Sequence, residues 1–433
     1  MTNIPEPLQA DVSDQTDPPP EETSLLKRLG PGLVTGAADD DPSGIATYSQ
    51  IGAQFGFGLA WTMLFSFPLM AVIQEVSARI GCVTGFGIAQ NVRRHYSPWL
   101  LRGVVILLLI ANVINLGADL GAMGAALGLL MGGSNLLYAV LFGVVCILLE
   151  VFVGYTRYAK VLKWTTLSLF AYVGVVFTSH VPWGHALYNM IVPTVVFDSA
   201  HAMAMVAILG TTISPYLFFW QAGQEVEEQR RRHVKALCVT PRTADSEFSR
   251  IRIDTYFGMG ISNMIAVFII FATAATLNAH GVIDIQTSSQ AAEALRPIAG
   301  DFAFALFAVG IIGTGMLAVP VLAGSAAYAV SEAFQWPEGL DRPPREAKAF
   351  YATIAVATMI GAALNFTALD PIRALYWSAV VNGVLAAPLM AVMMVIGVNA
   401  RIMGRFTLPW YLIIIGWLAT LVMTLVTIGF FVI

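Results

Sequence analysis

The sequence predicts an all-α membrane protein of eleven helices, two of them broken at equivalent places in an inverted repeat. Three observations lead there. The 433-residue chain is 57% hydrophobic and only 12% charged, where a soluble domain carries about 25% charged residues. Its apolar residues gather into eleven runs, each near the ~20 residues that cross a bilayer. Polar, Pro-containing interruptions fall in the first and the sixth of those runs.

Residues 1–26 hold six acids (Glu6, Asp11, Asp14, Asp17, Glu21, Glu22), no Lys or Arg, and the run Pro18-Pro19-Pro20. Such a segment cannot bury enough apolar surface to fold and is expected to be a disordered tail. It lacks the basic and apolar regions of a signal peptide. Residues 27–433 are expected to form a single transporter domain. Its spans are read at 29–54, 57–80, 101–131, 135–153, 157–179, 198–228, 252–278, 301–333, 349–368, 371–399 and 407–431. Spans one to five (29–179) and six to ten (198–399) form the two repeats, and 407–431 is an extra helix. Asp198, Asp301 and Asp370 precede helix starts and are expected to cap them, with Pro371 in a first turn. Glu75 and Glu150 near span ends are expected to be wet or paired. Trp61, Trp183, Trp377 and Trp410 are read as interface anchors. The scattered Cys82, Cys146 and Cys238 match neither a disulfide framework nor a zinc site.

Lys and Arg set the orientation. With the N-terminus in the cytoplasm, all 23 basic residues except Arg296 and Arg373 fall on the cytoplasmic side. That bias fixes a cytoplasmic N-terminus and an extracellular C-terminus. The basic run Arg230 to Lys235 is read as a topology determinant with a weaker role at the lipid surface, and no nucleic-acid partner is expected.

The breaks carry the chemistry. Asp41-Pro42-Ser43-Gly44 interrupts the first span, and Thr211-Thr212-Ile213-Ser214-Pro215-Tyr216 the sixth. Pro42, Ser43 and Pro215 are read as the helix breakers. Backbone left unpaired at membrane depth must face protein or a water-filled cavity, and a carboxylate there marks a functional site. Five spans per repeat is an odd number, so the second repeat is inverted. Paired broken helices at matching positions point to a midplane substrate site. Asp41 offers a hard anionic oxygen. Thr211, Thr212 and Ser214 offer hydroxyl or carbonyl oxygens, Ala38 a freed carbonyl, and Asn382 of the tenth span an amide oxygen if it faces the site. Neither break holds Met, Cys or His. Oxygen-only surroundings suit Mg²⁺ and also Mn²⁺. One carboxylate is too little to strip Mg²⁺ of its water, so the ion is expected to pass largely hydrated.

Along its whole hydrophobic length the chain resembles the Nramp family of divalent metal transporters. Gly30-Pro31-Gly32 leading to Asp41-Pro42 is similar to the family's first-helix signature, whose tetrapeptide is Asp-Pro-Gly-Asn. Ile73-Gln74-Glu75 through Gly85 resembles the end of its second helix, Gly124 to Gly128 its third, and Leu209 to Tyr216 its sixth. The resemblance implies a LeuT-like fold, a monomer, no enzymatic activity and no cofactor, the metal being cargo. The departures matter as much. The family's Asn falls on Gly44, the remaining tetrapeptide member of the metal set. Its Met falls on Ser214, its two His on Tyr216 and Gln221. Its third-helix acidic pair is reduced to Asp119, whose partner position reads Gly121 or Ala122. Its ninth-helix arginines have no counterpart between Tyr351 and Ala368. What is left resembles the Nramp-related magnesium transporters, which implies uptake of Mg²⁺ and Mn²⁺ without a coupled proton. Asp119 is either a residual relay acid or a packed carboxyl. Two other readings stay open. One is a proton-coupled transition-metal importer, against which Ser214 and Tyr216 stand. The other is a sodium-coupled organic solute transporter, against which Asp41 stands.

Overall fold

The computed structural model describes residues 30–153, 165–367 and 370–432. The tail 1–26, Lys27, Arg28, Arg157, Lys160, Lys163 and the start of the fifth span lie outside the described residues. Among the described residues the fold is helical throughout, with no strand.

The first span is two helices, α1 (Pro31–Asp39) and α2 (Pro42–Phe55). Then come α3 (Trp61–Thr84), the short α4 (Ile88–His95), α5 (Pro98–Met131) and α6 (Asn135–Phe152). The described end of the fifth span is α7 (Phe170–Thr178), followed by α8 (Trp183–Ile191). The sixth span is again split, into α9 (Ser199–Thr212) and α10 (Pro215–Arg231). There follow α11 (Ala244–Thr276), two short helices α12 (Ser288–Glu293) and α13 (Arg296–Ala299), and α14 (Ala303–Phe334). The chain ends with α15 (Lys348–Leu364), α16 (Pro371–Val398), the short α17 (Ala400–Met403) and α18 (Trp410–Val432). Among the described residues, eight helices or helix pairs are long and apolar enough to cross a membrane. Of the other three expected spans, the first is halved by its break, the fifth is only partly described, and the ninth, α15, has 17 residues. The count of eleven remains an expectation.

Both breaks lie where the sequence put them, with one refinement. The chain leaves helical geometry at Asp40-Asp41, while Pro42, Ser43 and Gly44 form the first turn of α2. Pro42 has no N–H to lose there, and its fixed φ suits a helix start. Pro215 opens α10 in the same way after Ile213-Ser214.

Close backbone packing holds the half-helices against their neighbours. A Cβ on Gly36 of α1 would come within 2.4 Å of the Gly258 carbonyl of α11. One on Gly210 of α9 would meet the Ala379 carbonyl of α16 at 2.0 Å. Small residues let membrane helices approach this closely. Thus α1 and α2 lie on α11, α9 lies on α16, α10 on α3, and α5 packs along α14.

Asp198 and Asp370 do cap helices, accepting from His201 N at 2.7 Å and Ile372 N at 2.9 Å. Asp301 does not. It sits inside a 3₁₀ turn, Gly300–Phe302, and α14 begins one residue later without a side-chain cap. Glu75 is paired as expected, with Arg79 at 2.7 Å, but it is fully buried and not wet. Glu150 is neither wet nor paired: among the described residues, neither of its buried oxygens has a partner.

Candidate functional site

Asp41 stands at the junction of the two broken helices and is 2% exposed. It is the N-cap of α2, so the helix-start geometry dictates where its carboxylate goes. Oδ1 accepts from Gly44 N at 2.6 Å. A carboxylate at a helix N-terminus is stabilised by the orphan amides and the helix dipole. Oδ2 accepts from Asn115 Nδ2 of α5 at 3.0 Å and from the Tyr216 hydroxyl of α10 at 3.3 Å. That hydroxyl has a single proton, shared between Oδ2 and the nearer Ala38 carbonyl at 2.9 Å. The carbonyl freed by the α1 break is therefore taken up by Tyr216, at the position where the resemblance puts a histidine.

The remaining expected residues surround this core at different ranges. Thr211 is close to Gly44, since a Cβ on Gly44 would lie 3.4 Å from Thr211 Oγ1. Ser214 turns its hydroxyl back onto the end of α9, 2.9 Å from the Gly210 and Thr211 carbonyls. Thr212 does the same with Ile208 O at 3.0 Å. These hydroxyls satisfy the last carbonyls of a half-helix that Pro215 prevents from continuing. Ser43 contacts the Ser378 hydroxyl of α16 at 3.1 Å. Asn382, one turn further along α16, is buried with its Oδ1 unpartnered, and no hydrogen bond among the described residues joins it to Asp41. Gln221 lies two turns below the break. It accepts from Thr35 of α1 and donates to Glu225 at 3.3 Å.

The chain matches the family model described as natural resistance-associated macrophage protein-like, abbreviated Nramp, over residues 32–433. The chain belongs to the Nramp family. Among its relatives is the divalent metal cation transporter MntH of Klebsiella pneumoniae (strain 342), 26% identical over 401 residues, with 90% of each chain covered. Another of the same name, from Verminephrobacter eiseniae (strain EF01-2), is 26% identical over 360 residues, covering 78% of this chain and 76% of the relative. Among solved structures, a manganese transporter of Eremococcus coleocola, crystallised with an aromatic bis-isothiourea compound, superposes with a TM-score of 0.72 at 18% identity, covering 97% of this chain and 89% of the other. Mhp1, a nucleobase-cation-symport-1 family transporter in a closed conformation with bromovinylhydantoin bound, superposes at 0.56 and 16% identity, covering 93% and 92%. The fold is thus that of the Nramp and Mhp1 transporters, and the protein is a multi-pass membrane protein.

This Nramp protein also holds polar residues at membrane depth that sequence reasoning passed over. Asp39 and Asp40, like Asp41, are buried. Ser262 of α11 contacts them both, at 2.6 Å from Asp39 Oδ2 and 3.1 Å from Asp40 Oδ1. The signal was in view, since three consecutive aspartates inside an apolar run are as costly as one. Asp119 of α5 is fully buried, with Asp41 and the Ser43 amide as its polar neighbours and, among the described residues, no side chain donating to it. Asn115 carries no local signal: one asparagine in a long apolar helix could face any neighbour.

At the other end of α1, Asp254 of α11 accepts from the N–H groups of Gly30, Gly32 and Leu33 at 2.8, 2.7 and 3.0 Å. Around it, Arg250 pairs with Glu225 and Glu247, and Glu247 with Arg232 at 2.7 Å. Ionic side chains thus tie α1, α10 and α11 together at this end.

Proposed function

We propose that this protein carries divalent metal cations across the membrane, Mg²⁺ foremost and Mn²⁺ with it, without a coupled proton. The cation passes largely hydrated between the broken helices, with Asp41 as its anionic contact. One observation carries the reading: a buried carboxylate at the junction of two half-helices, with oxygen donors around it and no sulfur or imidazole from either break. Hard oxygen ligands favour hard cations, and a thioether would favour later transition metals. The relatives named as divalent metal cation transporters support the substrate class. The protein works as a monomer in the bilayer, with its N-terminus in the cytoplasm, and 29–179 and 198–399 are its inverted repeats. The ionic end of α1 then faces the cytoplasm.

A specific observation favours a second reading, a proton-coupled importer of transition metals. Asp119, Asp39 and Asp40 are buried carboxyls within reach of Asp41's field, and such groups at membrane depth serve as proton relays.

The deciding experiment is Mg²⁺ uptake into proteoliposomes with a pH dye inside and the membrane potential clamped. Uptake without acidification is expected. Acidification in step with metal entry would establish the second reading. Entry of Mn²⁺ with no Mg²⁺ would refute the substrate assignment.

A further inference from the structure

One face of α5 is polar in an otherwise apolar helix. Asn112, Asn115 and Asp119 stand at i, i+3 and i+7, which places them on one side, and all three are fully buried. The orientation of Asn115 is fixed by charge. An ionised carboxylate can only accept, so the Asn115 amide must turn its NH₂ to Asp41, as it does at 3.0 Å. Its oxygen is left without a hydrogen-bond partner among the described residues. Asn112 shows the same arrangement one turn earlier, its NH₂ on the Leu322 carbonyl at 2.9 Å and its Oδ1 unpartnered among the described residues. A buried, unpaired amide oxygen costs about 1–3 kcal/mol, so two on one face, next to the site's carboxylate, need a reason.

We propose that Asn115 presents its amide oxygen to the cation held at Asp41, directly or through one of the ion's waters, and so sets affinity and selectivity from a third helix. The proposal rests on the reading of Asp41 as the ion site. Its physical content is that α5 adds a neutral oxygen ligand to what the two broken helices offer, of which Thr211 Oγ1 beside Gly44 is one. Gly44 has no side chain, the Ser214 hydroxyl is turned onto its own helix, and Tyr216 covers the Ala38 carbonyl. A neutral amide oxygen beside Asp41 adds a ligand without adding charge, which keeps a divalent ion from being held too tightly to leave. Asn112 extends the same polar surface one turn along the helix.

The test is Mg²⁺ and Mn²⁺ uptake by the full chain in proteoliposomes, comparing Asp41→Ala, Asn115→Ala and Asn115→Asp. Asp41→Ala reports on the parent reading: retained uptake by that variant removes the ion site from Asp41 and the proposal with it. With uptake lost there, Asn115→Ala is expected to raise the Mg²⁺ KM about five- to tenfold, the loss of one ligand contact, and to change the Mg²⁺-to-Mn²⁺ ratio while maximal rate holds. Asn115→Asp keeps the shape and replaces a neutral oxygen by a charged one. As a ligand it lowers KM at pH 7, because the bound ion separates the two carboxylates. As a mere donor to Asp41 it leaves two carboxylates in contact, and uptake falls at pH 7 and returns as acid neutralises one of them. That second pattern, or an Asn115→Ala protein with wild-type KM and selectivity, overturns the proposal. Failure of both variants to fold would also overturn it, since Asn115 would then be a packing residue.

Discussion

Every oxygen of Asp41 is engaged by protein: Gly44 N on one, Asn115 and Tyr216 on the other. On the proposed reading of Asp41 as the ion site, an arriving cation replaces donors rather than entering an unsatisfied site. Donors to a carboxylate and a cation compete for the same lone pairs, so the donors that must move control affinity. The Gly44 amide belongs to the helix and stays. The Tyr216 hydroxyl is the movable one, its 3.3 Å contact being the longest of the three. Tyr216→Phe removes it from both Asp41 and the Ala38 carbonyl. Uptake kinetics should then show a Mg²⁺ KM lower by about tenfold or more, since a hydrogen bond to a charged group contributes about 1.5–3 kcal/mol net; an unchanged KM would mean that Tyr216 is out of the way whenever the ion is bound. Ser214 makes a second prediction at this scale. Its side chain starts beside the break and now folds back onto Gly210 and Thr211. Ser214→Met introduces a thioether that cannot fold back in this way, and competition assays should show Mn²⁺ and Cd²⁺ gaining on Mg²⁺. No change in preference would place position 214 away from the ion path.

At the scale of the helix, Asp254 makes α1 a lever fixed at one end. Three N–H donors of its first turn rest on one carboxylate from a helix more than 200 residues away in sequence, and charge there also complements the helix dipole. Asp254→Asn keeps the shape but loses the charge and one accepting atom. The expected cost is about 1–3 kcal/mol, read as a lower melting temperature in detergent and faster hydrogen exchange at Gly32 and Leu33. Full protection of those amides in the variant would mean that α1 is held by its packing on α11 alone. This element also marks what the sequence could and could not disclose. The breaks were legible, because Pro42 and Pro215 act on their own backbone and apolar runs around them are unambiguous. The two N-caps Asp198 and Asp370 were legible for the same local reason. Asp301 misled because a carboxylate before an apolar run signals a cap, and the chain instead makes a 3₁₀ turn there. Asn115, Ser262 and Asp254 were not legible, since their partners come from other helices and only packing decides which face meets which. Asp39 and Asp40 were overlooked beside Asp41 although their cost at membrane depth is the same.

Across the whole molecule the two sides of Asp41 are packed by different physics. Away from the ionic end, mostly apolar side chains such as Ile45, Tyr172, Leu295 and Phe307 line a cavity of about 10 Å³. At the ionic end, charged side chains meet: Arg250 with Glu225 and Glu247, Arg232 with Glu247, and Arg230 with Glu338 at 3.9 Å. Ionic packing should respond to pH, which apolar packing does not. Glu338, in the segment between α14 and α15, shows how. Burial pushes its carboxyl up to about 7; Arg230 and Arg342 pull it down, and Glu227 pushes it up. A carboxyl raised in the fold above its ordinary value near 4.5 is neutral in both states at low pH. As pH rises through 4.5 to 7 the unfolded chain ionises freely while the fold holds the proton, so stability falls across that window and levels off above it. At about 1.4 kcal/mol per pH unit, the loss is on the order of 3–4 kcal/mol. Glu338→Gln cannot ionise. Its melting temperature in detergent should therefore fall less than the parent's between pH 5 and 7.5, and exceed it at the upper end. Parallel melting curves for the two proteins over that range would show that Glu338 ionises as freely in the fold as in water, and that this end is not packed at the expense of a buried charge.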